Sequence, residues 1–212
     1  MKLLIGLPCM DFVHVEFMRC LTSLLKRLRD DGVQFDLCIE SGTLVYLARE
    51  RIAHKAINEK YTHVLWLDSD MVFSDDILED LQFCGKDFVT GIYHARRKGY
   101  ASCIFKCIDL KKGIERFEEY PKEPFQIEGC GFGCVLTSVD LLSQVCLTFG
   151  TCFTPLPSLG EDIAFCRRAL DLGFNLWCEP TVYVGTSGTS PFTRKTTKTG
   201  RRQSATTKRC KE

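Results

Sequence analysis

Asp68 and Asp70, separated by one residue, are the side chains of this sequence that most directly suggest chemistry. They follow the apolar run His63–Leu67, which predicts a buried strand, and precede the apolar residues 71–73. Open α/β sheets bind their ligands at the carboxyl ends of such strands. Carboxylates in that position suit a hard divalent cation that holds a phosphorylated ligand. The alternative is that the two aspartates only cap a turn and the next helix, since this tripeptide pattern is common.

Two further segments contain residues that suit a ligand site. The first is a glycine-rich turn at residues 129–133, directly before a predicted strand at 134–137. Glycines there let the backbone approach a ligand closely, although a tight hairpin turn explains them equally well. The second is Gly160, Glu161 and Asp162 at the start of a predicted helix, where carboxylates favour the helix N-terminus. That position is expected to lower the pKa of the carboxylates, which keeps them ionised and makes them weaker bases.

The elements that must position these residues alternate between strands and helices. In the first half, strands are predicted at 2–7, 33–39, 63–67 and 87–93, and helices at about 12–29, 45–58 and 74–84. The central strands are continuously apolar, which favours a parallel sheet covered by helices on both faces. In the second half we predict a hairpin at 101–118, the strand at 134–137, a helix from Ser138, a helix at 160–172, and closing strands at 174–178 and 181–184.

Composition and charge indicate one α/β domain, residues 1–186, followed by a basic tail, residues 187–212. A content of 45% hydrophobic and 26% charged residues is typical of a globular protein. The net charge of +1 conceals the basic end, because residues 193–212 contain eight lysines and arginines and one acid. We predict that the tail is mostly disordered. It is either a solubilising end or a segment that binds an anionic partner, such as nucleic acid or a membrane surface.

The thirteen cysteines do not show the spacing of a metal or disulfide framework. Their number is odd, and no C-x-x-C pair occurs, which disfavours a zinc knuckle. The apolar run at the start is too short for a signal peptide, so we expect reduced cysteines in a cytoplasmic protein. No stretch approaches the ~20 apolar residues of a membrane span.

In this order, the D-x-D at residues 68–70, the glycine-rich turn and the Gly-Glu-Asp segment resemble those of the GT-A glycosyltransferases. The likeness is to the small bacterial, phage and viral members of the family-2 type, and it covers about residues 3–186. The matching stretches are 3–8, 47–49, 65–73, 91–93, 129–135 and 160–169, with residues 173–174 and 179–180 downstream. The resemblance implies a three-layer α/β/α sandwich with a mostly parallel central sheet and a smaller antiparallel sheet on the acceptor side.

The resemblance also implies an activity: metal-dependent transfer of a sugar from a nucleotide-diphosphate sugar. A UDP-sugar is the favoured donor, and the acceptor would be a hydroxyl of a glycan, lipid or protein, with inversion at the sugar. Mn²⁺ or Mg²⁺ would offset the charge of the leaving diphosphate as a Lewis acid. Asp70 would be the direct metal ligand, and Asp68 would face the ribose or a metal-bound water. Asp162 would be the general base that takes the proton of the acceptor.

Further donor-site residues follow from the same resemblance. The nucleotide base would lie against Pro8 and Asp11, after the first strand. Arg49 would contact the donor from the second helix, although a solvated arginine on the helix surface fits the sequence equally well. The remaining predicted donor-site residues are Ser69, Gly131 and Glu161.

One position departs from the pattern of the family. Relatives often have a metal-binding histidine in a Val-Gly-His turn after the last strand, whereas this chain has Val184, Gly185 and Thr186. A catalytically impaired protein that binds a sugar nucleotide, or a scaffold protein, is therefore an alternative. A nucleotidyltransferase on a related sheet is another, but residues 7–11 contain neither a second carboxylate cluster nor a lysine-rich phosphate loop.

Overall fold

Strands and helices alternate along the chain largely as its hydrophobic pattern predicts. The computed structural model describes residues 1–82, 84–94, 101–109 and 113–186. The strands are β1 (Lys2–Pro8), β2 (Gln34–Glu40), β3 (His63–Leu67), β4 (Met71–Val72), β5 (Phe88–Ile92), β6 (Ile104–Asp109), β7 (Gly113–Arg116), β8 (Phe125–Ile127), β9 (Gly129–Cys130), β10 (Cys134–Ser138), β11 (Leu176–Tyr183) and β12 (Gly185–Thr186). The helices are α1 (Val15–Asp30), α2 (Val45–Asn58), α3 (Ile77–Gln82), α4 (Val139–Phe149) and α5 (Glu161–Asp171). The tail at 187–212 lies outside the described residues, so its disorder and its anionic partner stay predictions.

Seven strands form the central sheet, in the order β2-β1-β3-β10-β5-β11-β8. Strand β1 pairs in parallel with both β2 and β3, and β11 pairs in parallel with β5. Strand β10 lies antiparallel between β3 and β5, and β8 lies antiparallel beside β11. Strands β1, β2, β3, β5 and β11 therefore point the same way, which confirms the predicted mostly parallel sheet.

Helices cover both faces of this sheet. The connections β1–α1–β2 and β2–α2–β3 run in opposite directions along the sheet, and because such connections are right-handed, α1 and α2 lie on opposite faces. On one face, Arg27 of α1 donates a 2.7 Å hydrogen bond to Glu79 of α3. On the other face, α2 packs against α4, and α4 packs against α5. The predicted three-layer α/β/α sandwich is confirmed.

A smaller antiparallel sheet, in the order β7-β6-β9, contains the predicted hairpin. Its third strand includes Gly129, so the glycine-rich turn is shorter than predicted and is limited to residues 131–133. The prediction of a turn at Gly129 is wrong because this residue pairs with Phe105 of β6, a long-range partner that the local pattern does not reveal. Strands β12 and β4 form a two-stranded antiparallel ribbon, which places Gly185 and Thr186 beside the residues that follow the D-x-D.

Some elements differ from the predicted ones beyond small shifts of their ends. Helix α3 begins at Ile77 rather than directly after Ser74, whose hydroxyl donates to the Asp76 carboxylate. Strand β8 was not predicted, since three residues are too few to show a period. The strands predicted at 174–178 and 181–184 are continuous as β11, with an irregular pairing between Glu179 and Tyr183.

The core lies between the sheet and its two helical layers, and it includes Trp66, which is fully buried. Every cysteine in the described part of the chain is free of disulfide bonds, and Cys38, Cys130, Cys134, Cys152, Cys166 and Cys178 are buried. The expectation of thiols rather than disulfides therefore holds for these residues. Within the same residues, no helix is both long and apolar enough to cross a bilayer.

Candidate active site

The turn Asp68–Asp70 is fixed in place by hydrogen bonds to the segments on both sides of it. The amide of Asp68 donates to the Gly133 carbonyl (3.0 Å), and the amide of Met71 donates to the Asp68 carbonyl (3.1 Å). The Ser69 carbonyl accepts a 3.1 Å hydrogen bond from the His14 amide, just before α1. The backbone after β3 is therefore held between the loop 131–133 and the β1–α1 connection, at the carboxyl end of the sheet.

An open cleft of about 370 Å³ lies beside this turn, a volume in the range of small-molecule sites. It lies at the point where the strand order reverses, since β2 and β3 pair on opposite sides of β1. The residues that line it are Pro8, Cys9, Met10, Thr43, Val45, Asp68, Ser69 and Asp70. Pro8 and the whole D-x-D thus share one cleft, as the sequence predicts, whereas Asp11 is exposed and does not line it.

Arg49 lies buried between the two acidic segments and joins them. Its side chain is 4% exposed, and its guanidinium donates to Asp68 Oδ1 (3.0 Å) and to Glu161 Oε1 (2.7 Å). The guanidinium carbon lies 5.5 Å from the centre of the Phe132 ring, which forms an aromatic floor. The interpretation of Arg49 as a solvated arginine is therefore wrong. The sequence contains the signal for burial, because Arg49 lies on the same helical face as the buried Ala53.

Asp162 lies in the first turn of α5, where its Oδ1 accepts a 2.8 Å hydrogen bond from the Ile163 amide. Its Oδ2 lies close to Gly131. A Cβ atom on that glycine would lie 3.4 Å from Oδ2 and would overlap the hydroxyl of Tyr93. The Tyr93 hydroxyl therefore disfavours a side chain at 131, and this contact explains the glycine without a ligand. The donor-contacting role of Gly131 stays a prediction.

Tyr93 is a site residue that sequence reasoning did not assign. It directly follows β5, is 4% exposed, and its hydroxyl accepts a 3.1 Å hydrogen bond from the Gly133 amide. Because Gly133 in turn accepts from the Asp68 amide, Tyr93 supports the D-x-D through one intervening residue. Burial raises the pKa of Tyr93 well above its ordinary value, so the hydroxyl stays protonated. The sequence feature that could have identified Tyr93 is its place directly after a buried strand. Asp68 likewise directly follows a buried strand, β3.

Among the residues that the structure describes, the site contains more negative than positive charge. Arg49 contributes one positive charge to a cluster of four carboxylates, Asp68, Asp70, Glu161 and Asp162. Burial raises the pKa of Asp162 above its ordinary value; Arg49 opposes this shift, and Glu161 and Asp68 add to it. Burial likewise raises the pKa of Asp68, against the effect of Arg49. The expected lowering of the pKa at the helix N-terminus is wrong for Asp162, because lost hydration outweighs the hydrogen bond from the Ile163 amide.

The carboxylates suit a divalent cation that shares its coordination shell with a phosphate. Within residues 1–82, 84–94, 101–109 and 113–186, no three His, Cys, Asp or Glu side chains converge as a preformed metal cage. Nucleotide enzymes typically hold Mg²⁺ by one or two carboxylates and complete its shell with phosphate and water. Asp70, with Asp68 beside it, fits that pattern. Thr186 pairs with Met71, so the position that the sequence resemblance compares with a metal-binding histidine is adjacent to this turn.

A second charged arrangement, which we call the loop clamp, consists of Glu50, Arg168 and residues 151–154. The Glu50 carboxylate accepts hydrogen bonds from the amides of residues 152–154 at 2.6 to 3.1 Å and from the Thr151 hydroxyl. Arg168 donates to two carbonyls of the same loop at 2.9 and 2.7 Å. The sequence did not predict the clamp, because its partners are backbone groups of an irregular loop. This loop leads directly to the start of α5 and Asp162.

Comparisons with known proteins bear on the fold. No protein-family model and no curated protein matches the chain. Among solved structures, GalNAc-T7 with UDP, GalNAc and Mn²⁺ matches with a TM-score of 0.59 at 11% identity, over 90% of this chain and 45% of that chain. A197 from STIV matches with a TM-score of 0.56 at 18% identity, over 87% of this chain and 84% of that chain. At these identities the likeness concerns the fold alone, and together with the sheet topology it shows that the chain has a GT-A-like fold.

Proposed function

We propose that the protein is a metal-dependent glycosyltransferase that moves a sugar from a nucleotide-diphosphate sugar to an acceptor hydroxyl. The observation that supports this most is the position of Arg49, whose guanidinium contacts both Asp68 and Glu161. Asp68 belongs to the cleft at the switch point of the sheet, and Glu161 precedes Asp162 at the start of α5. One buried arginine therefore couples the predicted donor-binding carboxylates to the predicted general base.

On the donor side, the nucleoside would occupy the cleft between the ends of β1 and β3, against Pro8. Asp70 would hold Mn²⁺ or Mg²⁺ directly, and Asp68, already oriented by Arg49, would face the ribose or a metal-bound water. The cation would supply Lewis-acid stabilisation of the charge that develops on the leaving diphosphate. A UDP-sugar is the proposed donor; the likeness to GalNAc-T7, whose structure contains UDP and Mn²⁺, supports this choice.

On the acceptor side, Asp162 would remove the proton of the attacking hydroxyl. The acceptor oxygen forms a bond to the anomeric carbon while the bond from that carbon to the diphosphate oxygen breaks, and the proton moves to a carboxylate oxygen of Asp162. A single displacement of this kind inverts the anomeric centre. The raised pKa of Asp162 makes it a stronger base than an exposed aspartate, which suits it to this task.

The test is donor turnover by the purified protein with Mn²⁺ and a panel of UDP-sugars, in wild type and Asp162→Asn. We expect the substitution to lower turnover by roughly 10²- to 10⁴-fold, the usual contribution of a general base. It should leave donor binding intact, because asparagine keeps the shape of the side chain. In wild type, turnover should fall as the pH drops through the raised pKa of Asp162.

The matched control is Asp171→Asn at the other end of α5, where the carboxylate forms an exposed ion pair with Arg167. This variant should turn over the donor at the wild-type rate. If Asp162→Asn is as active as Asp171→Asn, the assignment of the base is wrong.

A second candidate function is sugar-nucleotide binding without turnover, and one observation favours it. Thr186, whose residue type is not the histidine of relatives, lies beside Met71 in the β12–β4 pair, next to the D-x-D. If wild type binds UDP-sugars in a Mn²⁺-dependent manner but releases no UDP with any acceptor tried, this candidate replaces the first. Thr186→His should then strengthen Mn²⁺ binding if the position is a metal-ligand position.

A further inference from the structure

The two edges of the central sheet differ in how they are protected. Strand β8 has three residues and packs against β6 of the small sheet. Strand β2, at the other edge, has seven residues and contains no lysine, arginine or proline. In β2 the apolar residues Leu37 and Ile39 are 36% and 55% exposed. Proteins usually protect sheet edges with short strands, covering elements, proline or charged residues, lysine above all. Strand β8 is short and covered, whereas β2 has only the acidic Asp36 and Glu40, and no strand in the described part of the chain pairs with its outer side.

The backbone groups that β2 presents at this edge follow from one hydrogen bond. The Glu40 carbonyl accepts from the Cys9 amide (2.8 Å), so the amide and carbonyl of Glu40 face β1. Because these groups alternate in direction along a strand, those of Phe35, Leu37 and Ile39 face away from the sheet. Their side chains share one face, since residues two apart in a strand point the same way. Three residues with apolar side chains thus offer both backbone donors and acceptors to a further strand.

We propose that a second copy of this chain pairs with β2, strand against strand and antiparallel, about a twofold axis at Leu37. Leu37 then lies opposite Leu37 of the second copy, and Phe35 lies opposite Ile39. All three outward-facing residues form hydrogen-bonded pairs, with two bonds in each pair. This interface is independent of the proposed catalytic function, because none of these residues belongs to the cleft or to the Arg49 cluster.

The charges along β2 select this register over its neighbours. Centred on Leu37, the opposite face pairs Gln34 with Glu40 and Asp36 with Cys38, so no like charges meet. A ladder centred on Asp36 would place two Asp36 carboxylates directly opposite each other. One centred on Cys38 would place Asp36 opposite Glu40. Like charges in directly opposed positions destabilise a strand pair, whereas apolar pairs stabilise it.

The length of the strand sets the expected affinity. A single ladder of seven residues buries less than the roughly 1,200 Å² of a standard interface, so the dimer should be weak and its population should depend on concentration. We expect a dissociation constant on the order of micromolar, which corresponds to about −8 kcal/mol. Sedimentation at concentrations from about 1 to 200 μM covers that range.

The test uses the full chain in three forms: wild type, Leu37→Lys and Leu37→Glu. Wild type should shift from monomer to dimer with concentration. Each variant alone should stay monomeric, because it brings two like charges together at the axis. An equimolar mixture should again form a dimer, since lysine then lies opposite glutamate. Ile114→Lys, at an exposed apolar site on β7, is the control and should dimerise like wild type.

Each other outcome overturns the proposal. A wild type that is monomeric throughout the range shows that the edge does not pair. Variants that still dimerise alone place the contact elsewhere on the surface. Two monomeric variants whose mixture stays monomeric show that Leu37 does not lie opposite itself, which contradicts the register. Circular dichroism of each variant establishes that the fold is retained, as expected for exposed positions.

Discussion

Arg49 and Glu50 are neighbours in α2, yet they differ in how their charges are balanced. The carboxylates around Arg49 outnumber its positive charge, whereas the charge of Glu50 is matched by its hydrogen-bond donors. Arg49 contacts Asp68 and Glu161 within a cluster of four carboxylates, so one positive charge faces an excess of negative charge. Glu50 accepts hydrogen bonds from the loop 151–154, and Arg168 donates to the carbonyls of the same loop. In the loop clamp, each charged side chain is matched by backbone groups.

Within the described residues, the Arg49 cluster therefore keeps an excess of negative charge, whereas the loop clamp is balanced. Burial of carboxylates without enough positive charge raises their pKa and is costly to stability, unless a further cation binds. The loop clamp needs no further partner, because its charges meet oriented amides and carbonyls. We therefore propose that the Arg49 cluster binds the ligand and that the clamp positions the loop before Asp162. Substitutions in the two arrangements should therefore have different effects.

The largest effect is expected for Arg49→Met, which keeps the side-chain volume and removes the charge. Asp68 and Glu161 lose their buried partner, and we expect the free energy of unfolding to fall by roughly 3 kcal/mol, measured by urea denaturation at neutral pH. Donor binding with Mn²⁺ should weaken as well, because Asp68 is no longer oriented. The control is Arg51→Met in the same helix, because the Arg51 side chain is 58% exposed and its ion pair with Glu40 should contribute less than about 1 kcal/mol. Equal losses in the two variants would contradict the special position of Arg49.

A smaller effect is expected for Glu50→Gln in the loop clamp. Glutamine keeps one carbonyl oxygen but no charge, so some amides of residues 152–154 lose their acceptor. We expect the free energy of unfolding to fall by about 2 kcal/mol. The affinity for UDP with Mn²⁺ should be unchanged, which is the opposite of the Arg49→Met result. A loss of affinity without a loss of stability would reverse the roles that we assign to the two arrangements.

Much of the fold could be predicted from local patterns. Helix α2 has the bounds that its apolar spacing indicates, and β3 coincides with the apolar run before the D-x-D. The antiparallel direction of β10 and the pairing of Gly129 could not be predicted, because they depend on strands far away in the sequence. Long-range partners of this kind leave no period in the sequence.

The candidate site was predictable in its residues and less so in its contacts. The sequence predicts that Pro8, Ser69 and Asp70 belong to one donor site, and these residues line the same cleft. It did not predict that Arg49 is buried between Asp68 and Glu161, although an arginine in an apolar helical stripe is a readable signal. It also misjudged the pKa of Asp162, since the depth of burial cannot be read from a helix start alone.

The central claim is that the D-x-D binds a nucleotide through a divalent cation, and calorimetric titration of UDP with and without Mn²⁺ tests it most directly. Wild type should bind UDP at least ~10-fold more tightly with Mn²⁺, a difference of about 1.4 kcal/mol. Asp70→Ala should abolish this gain, whereas Asp75→Ala, at a carboxylate paired with Arg27 on the surface, should retain it. If UDP binds wild type equally with and without Mn²⁺, or if Asp70→Ala keeps the full gain, the claim is wrong.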